Sequence, residues 1–261
     1  MAKRAVVTGA SSGIGAATVR RFRANGWEVL GVARRTDRLE ALAAETGCEI
    51  LTADVTSEAD VAAIAARVTE LGGAHVLINN AGGAFGLATI EDSSVEDWRR
   101  MYEVNVISLK LVTSALLPIL RASIAPSTGV AVEDVASIVN ITSVAAYTPY
   151  ENGGGYNAAK FAARAINGVL RLELAGEPIR VIEVAPGMVN TEFSLVRFDG
   201  DQSRADAVYQ DVHELSGDDV AAEIVHACTL PPHIDLDMIY IKPVAQAAQY
   251  KIHRGPLRTR D

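Results

Sequence analysis

The stretch SVAAYTPYENGGGYNAAK, residues 143–160, holds a serine, a tyrosine thirteen positions later and a lysine four positions beyond that. Side chains four apart on a helix share one face a turn apart, so Tyr156 and Lys160 are expected to stand together. A phenol ordinarily loses its proton near pH 10. A fixed ammonium beside it favours the phenolate, which would make Tyr156 an acid or base near neutrality. Any helix can carry Tyr-x-x-x-Lys by chance, so the pair means little without elements to position it. Gly153, Gly154 and Gly155 precede the tyrosine. They are expected to let the chain enter the helix at an unusual angle.

The positioning elements begin at the N-terminus. Ala5–Thr8 reads as a buried strand, Ile14–Asn25 as a helix stopped by Gly26, and Trp27–Ala33 as a second strand. Gly9, Gly13 and Gly15 lie between the first strand and the helix. A glycine-rich turn leading into a helix lets backbone approach a pyrophosphate, with free N–H groups and the positive dipole end pointing at it. The spacing is G-x-x-x-G-x-G rather than G-x-G-x-x-G, but its place in a strand–turn–helix–strand unit points to nucleotide binding. The second strand ends in Ala33-Arg34-Arg35 with no carboxylate. Folds of this type that prefer NAD place an acidic residue there for the ribose 2′-hydroxyl. Two cations suit a 2′-phosphate and favour NADP. Asp37 lies past the strand and is assigned to the next helix.

Further strands are read at Glu49–Ala53, Val76–Asn79, Ser137–Thr142, Arg180–Val184 and Met238–Lys242. Helices are read at Leu39–Glu45, from a Thr56 or Ser57 cap to Leu71, over Ser93–Leu120 as one or two helices with Asn105 in the second, from near Tyr156 to Ala175, and over Ser216–Cys228. A buried Asn105 would need partners. Residues 121–136, with Pro126, Ser127, Thr128 and Gly129, read as an extended loop. Periodicity is lost again over 192–212, which is expected to be a substrate-binding loop. Alternating strands and helices predict one α/β domain over 1–261, a doubly wound Rossmann-type parallel sheet with helices on both faces.

The chain is 261 residues long, 49% hydrophobic and 21% charged, with a formal charge of −8. That is globular composition, and the lack of a Lys/Arg block argues against nucleic acid. No secretory layout opens the chain, and no 18-residue apolar span is read in it, so neither export nor a membrane helix is expected. Cys48 and Cys228 are far apart and expected to be reduced, consistent with a cytoplasmic protein. The five histidines show no ligand spacing, so no metal is expected.

TGASSGIG at 8–15, NNAG at 79–82, Asn105, Ser143, YNAAK at 156–160 and PGMVNT at 186–191 follow one another in an order and spacing that resemble the short-chain dehydrogenases/reductases. The resemblance covers nearly the whole chain. It implies a Rossmann-type fold and hydride transfer to or from NAD(P). It implies Tyr156 as acid/base, Lys160 on the nicotinamide ribose and lowering the tyrosine pKa, Ser143 on the substrate oxygen, and Asn105 holding a water in a proton relay. Cofactor contacts are implied for Gly9, Ser11, Ser12, Gly13, Ile14 and Gly15, for Arg34 and Arg35, for Asp54 and Val55, and for Asn80, Ala81 and Gly82. Pro186, Gly187, Val189 and Thr191 complete that set.

ARRTDRL at 33–39, PY at 149–150, TEFSLVRFDGD at 191–201 and TLPPHIDLDMIYIKPVAQ at 229–246 resemble a subgroup, the NADP-dependent 3-hydroxy acid and serine dehydrogenases. This implies a 3-hydroxy acid or 3-hydroxy amino acid substrate and a homotetramer. For an acidic substrate, Arg197 is the candidate carboxylate clamp. The loop 121–136 is longer than the subgroup's, and NGGGYNAAK departs from its more usual Gly-Gly-Asn-Val before the tyrosine. Both departures bear on substrate identity. A carbonyl reductase for an aldehyde or bulkier ketone is the alternative, and a non-catalytic NADP-sensing protein the remote one, since fold alone does not make an enzyme.

Overall fold

The computed structural model describes residues 3–125 and 129–259. Its first half alternates strand and helix: β1 (Arg4–Thr8), α1 (Gly13–Ala24), β2 (Glu28–Ala33), α2 (Thr36–Thr46), β3 (Glu49–Thr52), α3 (Glu58–Glu70) and β4 (Val76–Asn79). Then come α4 (Val95–Tyr102), a π-helical turn (Glu103–Ile107), α5 (Ser108–Ser123), β5 (Ala136–Ile141), a 3₁₀ turn (Val144–Ala146), α6 (Gly154–Glu173) and β6 (Ile179–Pro186). The remainder is β7 (Val189–Asn190), α7 (Phe193–Arg197), α8 (Gln202–Tyr209), β8 (Leu215–Ser216), α9 (Gly217–Thr229), β9 (Met238–Ile241), β10 (Gln246–Ala248) and β11 (Lys251–Ile252).

Seven strands form a parallel sheet in the order β3-β2-β1-β4-β5-β6-β9. The central strands β5 and β6 are buried along their whole length, as a sheet covered on both faces requires, and carry Ser137, Asn140, Arg180 and Glu183 among their apolar residues. Phe22 of α1, Leu39 of α2 and Ile224 of α9 pack on one face. Ile64 of α3, Leu116 of α5 and Leu170 of α6 pack on the other. The chain winds outward from β1 to β3, then returns to place β4 on the other side of β1. That reversal opens a crevice at the C-terminal ends of β1 and β4. Side-chain caps fix helix starts where the sequence offers them. Ser57 Oγ accepts from the Asp60 N–H, and Ser216 with Asp219 forms a reciprocal capping box.

The structure departs from the sequence expectations at five places. Residues 192–212 are not a loop: α7 and α8 occupy most of them, too short to show a period, with Asp201 accepting from the Arg204 N–H to start α8. Asn105 lies in the π turn between α4 and α5 rather than within a second helix. Helix α5 runs on to Ser123, which shortens the expected loop, and Pro126, Ser127 and Thr128 lie outside the described residues. The continuous helical stretch Val95–Ser123 does contain an 18-residue window of mean hydropathy 1.5, although no such span is read in the sequence. Its apolar face, including Val112, Leu116 and Leu120, belongs to the core on the sheet.

The fifth difference concerns the glycines before Tyr156. None of Gly153, Gly154 and Gly155 has a positive φ. They provide room: a Cβ on Gly153 would lie 2.3 Å from the Tyr150 ring, and one on Gly155 would lie 2.4 Å from Met101 Cε. The triplet lets α6 seat closely against Tyr150 and α4.

Candidate active site

A cleft of about 720 Å³ opens at the C-terminal ends of the central strands. It brings together Ser11 to Ile14, Arg34 and Arg35, Asp54 and Val55, and Asn80 to Gly82. Ser143, Tyr156, Lys160, Pro186, Gly187, Val189, Thr191 and Arg197 close the other side, and Gly9 lies at the first strand's end. Two sequence-predicted residues do not line it. Gly15 sits behind the turn, where an added Cβ would be 2.3 Å from the Gly9 carbonyl oxygen, so its role is close packing of α1 on β1. Asn105 lines a second, small cavity of about 10 Å³ with Lys160 and Ser108.

Two elements position the candidate reactive residues. Ser143 follows β5 and caps the 3₁₀ turn, its Oγ accepting from the Ala145 N–H at 3.1 Å and lying 3.4 Å from the Pro186 carbonyl oxygen. Tyr156 and Lys160 project from the first turns of α6 and are 8% and 6% exposed. Lys160 Nζ donates to the Ile141 carbonyl at the end of β5, at 3.0 Å, and stands 5.7 Å from the centre of the Tyr156 ring.

The electrostatics correct the expected direction for the tyrosine. Burial pushes the Tyr156 phenol above its ordinary range, and the neighbouring Tyr150 adds to this. A hydrogen bond with Ser143 and the charge of Arg197 pull the other way without prevailing. Burial also pushes Lys160 down, from 10.5 to about 8. Both groups share a dry environment in which neither charged form is well solvated. Burial thus outweighs Ser143 and Arg197 and favours the neutral phenol, a proton donor.

Asn105 is 3% exposed and fully engaged. Its Nδ2 donates to Gly83 O and Met101 O at 2.8 Å each, and its Oδ1 accepts from the Gly83 N–H at 3.3 Å. It ties the π turn to the segment after β4. A Cβ at Gly82 would be 2.7 Å from Asn105 Oδ1 and 3.5 Å from Lys160 Nζ, so both polar groups crowd this glycine. The adjoining small cavity has room for one water beside these groups.

At the nucleotide end, Gly9 and Gly13 have φ of 67° and 54°, a left-handed backbone that glycine adopts without penalty. Ser12 flanks α1 with no side-chain cap, so the free N–H groups of its first turn are left to the cleft. Asn80 Nδ2 donates to Thr8 O at 2.9 Å and Gly9 O at 3.3 Å, fixing the turn. Asp54 is held by the Thr56 N–H and hydroxyl at 3.0 and 2.8 Å. The arginine tip is not free of carboxylates, as the local sequence suggests. Arg34 lies 3.8 Å from Asp54, and Arg35 lies 2.7 Å from Glu192.

Arg197 turns inward. It donates to the Tyr150 hydroxyl at 2.8 Å and to Gly86 O at 3.1 Å, with its guanidinium carbon 5.8 Å from the centre of the Tyr156 ring.

Sequence reading missed Tyr150, Glu192 and Phe193 as site residues, and also the C-terminal Gln246 and Arg254. Tyr150 was within reach, being part of a PY pair just ahead of the reactive tyrosine. Phe193, whose ring centre is 5.5 Å from that of Tyr156, follows directly on Thr191-Glu192. Gln246 ends the stretch 229–246 that carries the subgroup resemblance, and Arg254 carried no signal. Gln246 Oε1 accepts from the Met188 N–H at 2.8 Å, and Arg254 donates to carbonyls of Val208 and Gln210 at the end of α8. The C-terminal hairpin thus straps down the helices that roof the cleft.

Comparison with known proteins agrees with this architecture. A serine 3-dehydrogenase from Agrobacterium fabrum is 38% identical over 253 residues, 95% of this chain and 97% of that protein. An uncharacterized oxidoreductase of Mycobacterium tuberculosis is 48% identical over 254 residues, 97% of this chain and 96% of that protein. Among solved structures, the closed form of serine dehydrogenase complexed with NADP+ superimposes with a TM-score of 0.87 at 34% identity, covering 99% of this chain and 100% of the other. The short chain dehydrogenase family profile matches residues 3–201. With a doubly wound parallel sheet, a serine–tyrosine–lysine group at its strand ends and a family match over most of its length, the chain belongs to the short chain dehydrogenase family of oxidoreductases.

Proposed function

We propose that this oxidoreductase moves hydride between NADP(H) and a small hydroxy or carbonyl substrate, a 3-hydroxy acid or a 3-hydroxy amino acid such as serine. The observation that carries the acidic-substrate reading is the placement of Arg197. A guanidinium supported by the Tyr150 hydroxyl stands over the Tyr156 ring, 5.8 Å from its centre. A carboxylate held there would lie beside the reacting oxygen, as it must when the hydroxyl is two carbons away from the acid. Guanidinium is also the group best suited to take a carboxylate bidentately.

NADP fits the other end of the cleft. The turn has the left-handed glycines and free helix N-terminus that a pyrophosphate needs. Gly13 leaves no room for more, since a Cβ there would be 3.0 Å from Thr191 Cγ2. Arg35 and Arg34 are the groups to hold a 2′-phosphate, with Asp54, Val55, Asn80, Pro186 and Thr191 along the remaining walls. When bound, NADP supplies the hydride acceptor or donor.

The chain's own groups handle the oxygen and its proton. Ser143 holds the substrate oxygen. Tyr156, neutral in its buried setting, donates its proton to the oxygen during carbonyl reduction and is left as phenolate; in alcohol oxidation the phenolate, formed by loss of a proton toward Lys160, takes the hydroxyl proton. Lys160 replenishes that proton through the small cavity it shares with Asn105. The related serine dehydrogenases support the 3-hydroxy acid assignment. Apolar groups on the outer face of α6, including Val169 at 52% and Leu172 at 78% exposure, support assembly into the homotetramer implied by the subgroup.

Apolar lining at Leu87, Val196 and Phe198 favours the second reading, a reductase for an aldehyde or bulkier ketone. Steady-state assays with serine, 3-hydroxy acids, small keto acids, aldehydes and bulky ketones separate the two. Carboxylate substrates are expected to dominate kcat/KM. A preference for uncharged ketones that survives Arg197→Ala defeats the acidic-substrate assignment.

A further inference from the structure

Arg35, just past the end of β2, and Arg38, in the first turn of α2, are already engaged by an anion of the protein's own. Arg35 Nη1 lies 2.7 Å from Glu192 Oε2, and Arg38 Nη1 lies 3.2 Å from Glu192 Oε1. One carboxylate bridges two guanidinium groups. Arg35 also donates through Nη2 to Ser12 Oγ at 2.7 Å and Ser11 Oγ at 3.0 Å, which ties it across the glycine turn. Carboxylate and phosphate are interchangeable acceptors for a guanidinium fork. A dianionic phosphate arriving here needs the donors that Glu192 holds, and a carboxylate left beside it would repel it.

Resting on the NADP reading above, we propose that Glu192 is an internal competitor for the cofactor's 2′-phosphate. Its carboxylate occupies the arginine pair in the free protein, is displaced when the phosphate binds, and returns as the cofactor leaves. NAD, which has only a hydroxyl at that position, does not need the displacement. Glu192 therefore lowers affinity for NADP selectively and speeds its release. The ion pairs are partly exposed, with side-chain exposures of 43% for Arg35, 52% for Arg38 and 33% for Glu192. Solvent screening makes the effect moderate rather than large.

The test is calorimetric titration of the full chain and its Glu192→Gln variant with NADP+, NAD+, adenosine 2′-monophosphate and adenosine 5′-monophosphate at constant salt. The variant should bind NADP+ and the 2′-monophosphate about three- to tenfold more tightly, ~0.7–1.4 kcal/mol. NAD+ and the 5′-monophosphate should be unchanged, and stopped-flow dissociation of NADPH should slow by a similar factor. Glu192→Ala removes the same charge and should act in the same direction. Unchanged or weaker NADP+ binding in both variants overturns the proposal, as does an equal gain for NAD+. If wild type binds the 2′-monophosphate no better than the 5′-monophosphate, the arginine tip is not a 2′-phosphate site, and the NADP reading fails rather than the role of Glu192 alone.

Discussion

Lys160 Nζ stands 5.7 Å from the centre of the Tyr156 ring while donating to the Ile141 carbonyl at 3.0 Å. The lysine is thus anchored to the end of β5 rather than to a carboxylate, and its charge is shielded by little water. The pair combines a phenol that burial keeps protonated with an ammonium that burial makes easy to deprotonate.

Tyr156→Phe removes the proposed proton carrier and leaves the ring packing on Phe193. Turnover is expected to fall by about 10²–10⁴-fold, with NADPH binding unchanged by fluorescence titration. Substantial retained turnover would mean that another group moves the proton.

Burying Lys160 makes stability depend on pH. The unfolded lysine titrates near 10.5 and the folded one near 8, so between these values the unfolded chain holds more protons and stability rises with pH. Below about 8 the full cost of a buried charge stands, ~3 kcal/mol from the size of the shift. Lys160→Met should therefore be inactive yet melt at a higher temperature at pH 7, with the gain vanishing toward pH 10. A lower melting temperature at pH 7 would show that the bond to Ile141 outweighs desolvation.

Arg197→Ala should raise KM for carboxylate substrates by about 10- to 100-fold, the range for losing a hydrogen bond to a charged group. Uncharged aldehydes should be little affected. A uniform loss across all substrates would reduce Arg197 to a structural part.

Tyr150 and Gly153 are coupled sterically, since a Cβ on Gly153 would lie 2.3 Å from Cε2 of the Tyr150 ring. Gly153→Ala is expected to push the ring aside, cost about 1–3 kcal/mol of stability, and raise KM for carboxylates as Tyr150 leaves Arg197. Tyr150→Phe should reproduce the KM effect without the loss of stability. Normal carboxylate KM in both variants would show that Arg197 needs no support from Tyr150.

Local order was enough to bring the candidate residues together. Tyr156 and Lys160 share a helix face because the helical repeat puts residues four apart together. The glycine turn announces itself because it must join a strand to a helix within a few residues. The parallel sheet follows from alternating apolar runs and helices. These are short-range relations, written in adjacent residues.

Only the folded chain brought Glu192 to Arg35 across 157 positions and Arg197 to Tyr150 across 47. No periodicity encodes such meetings, because they depend on how α7 and α8 pack over the cleft and on the C-terminal strap that holds them. The protonation of the Tyr156–Lys160 pair was likewise out of reach. Spacing brings the charges together, but their pKa values answer to desolvation, and that is set by everything packed around them.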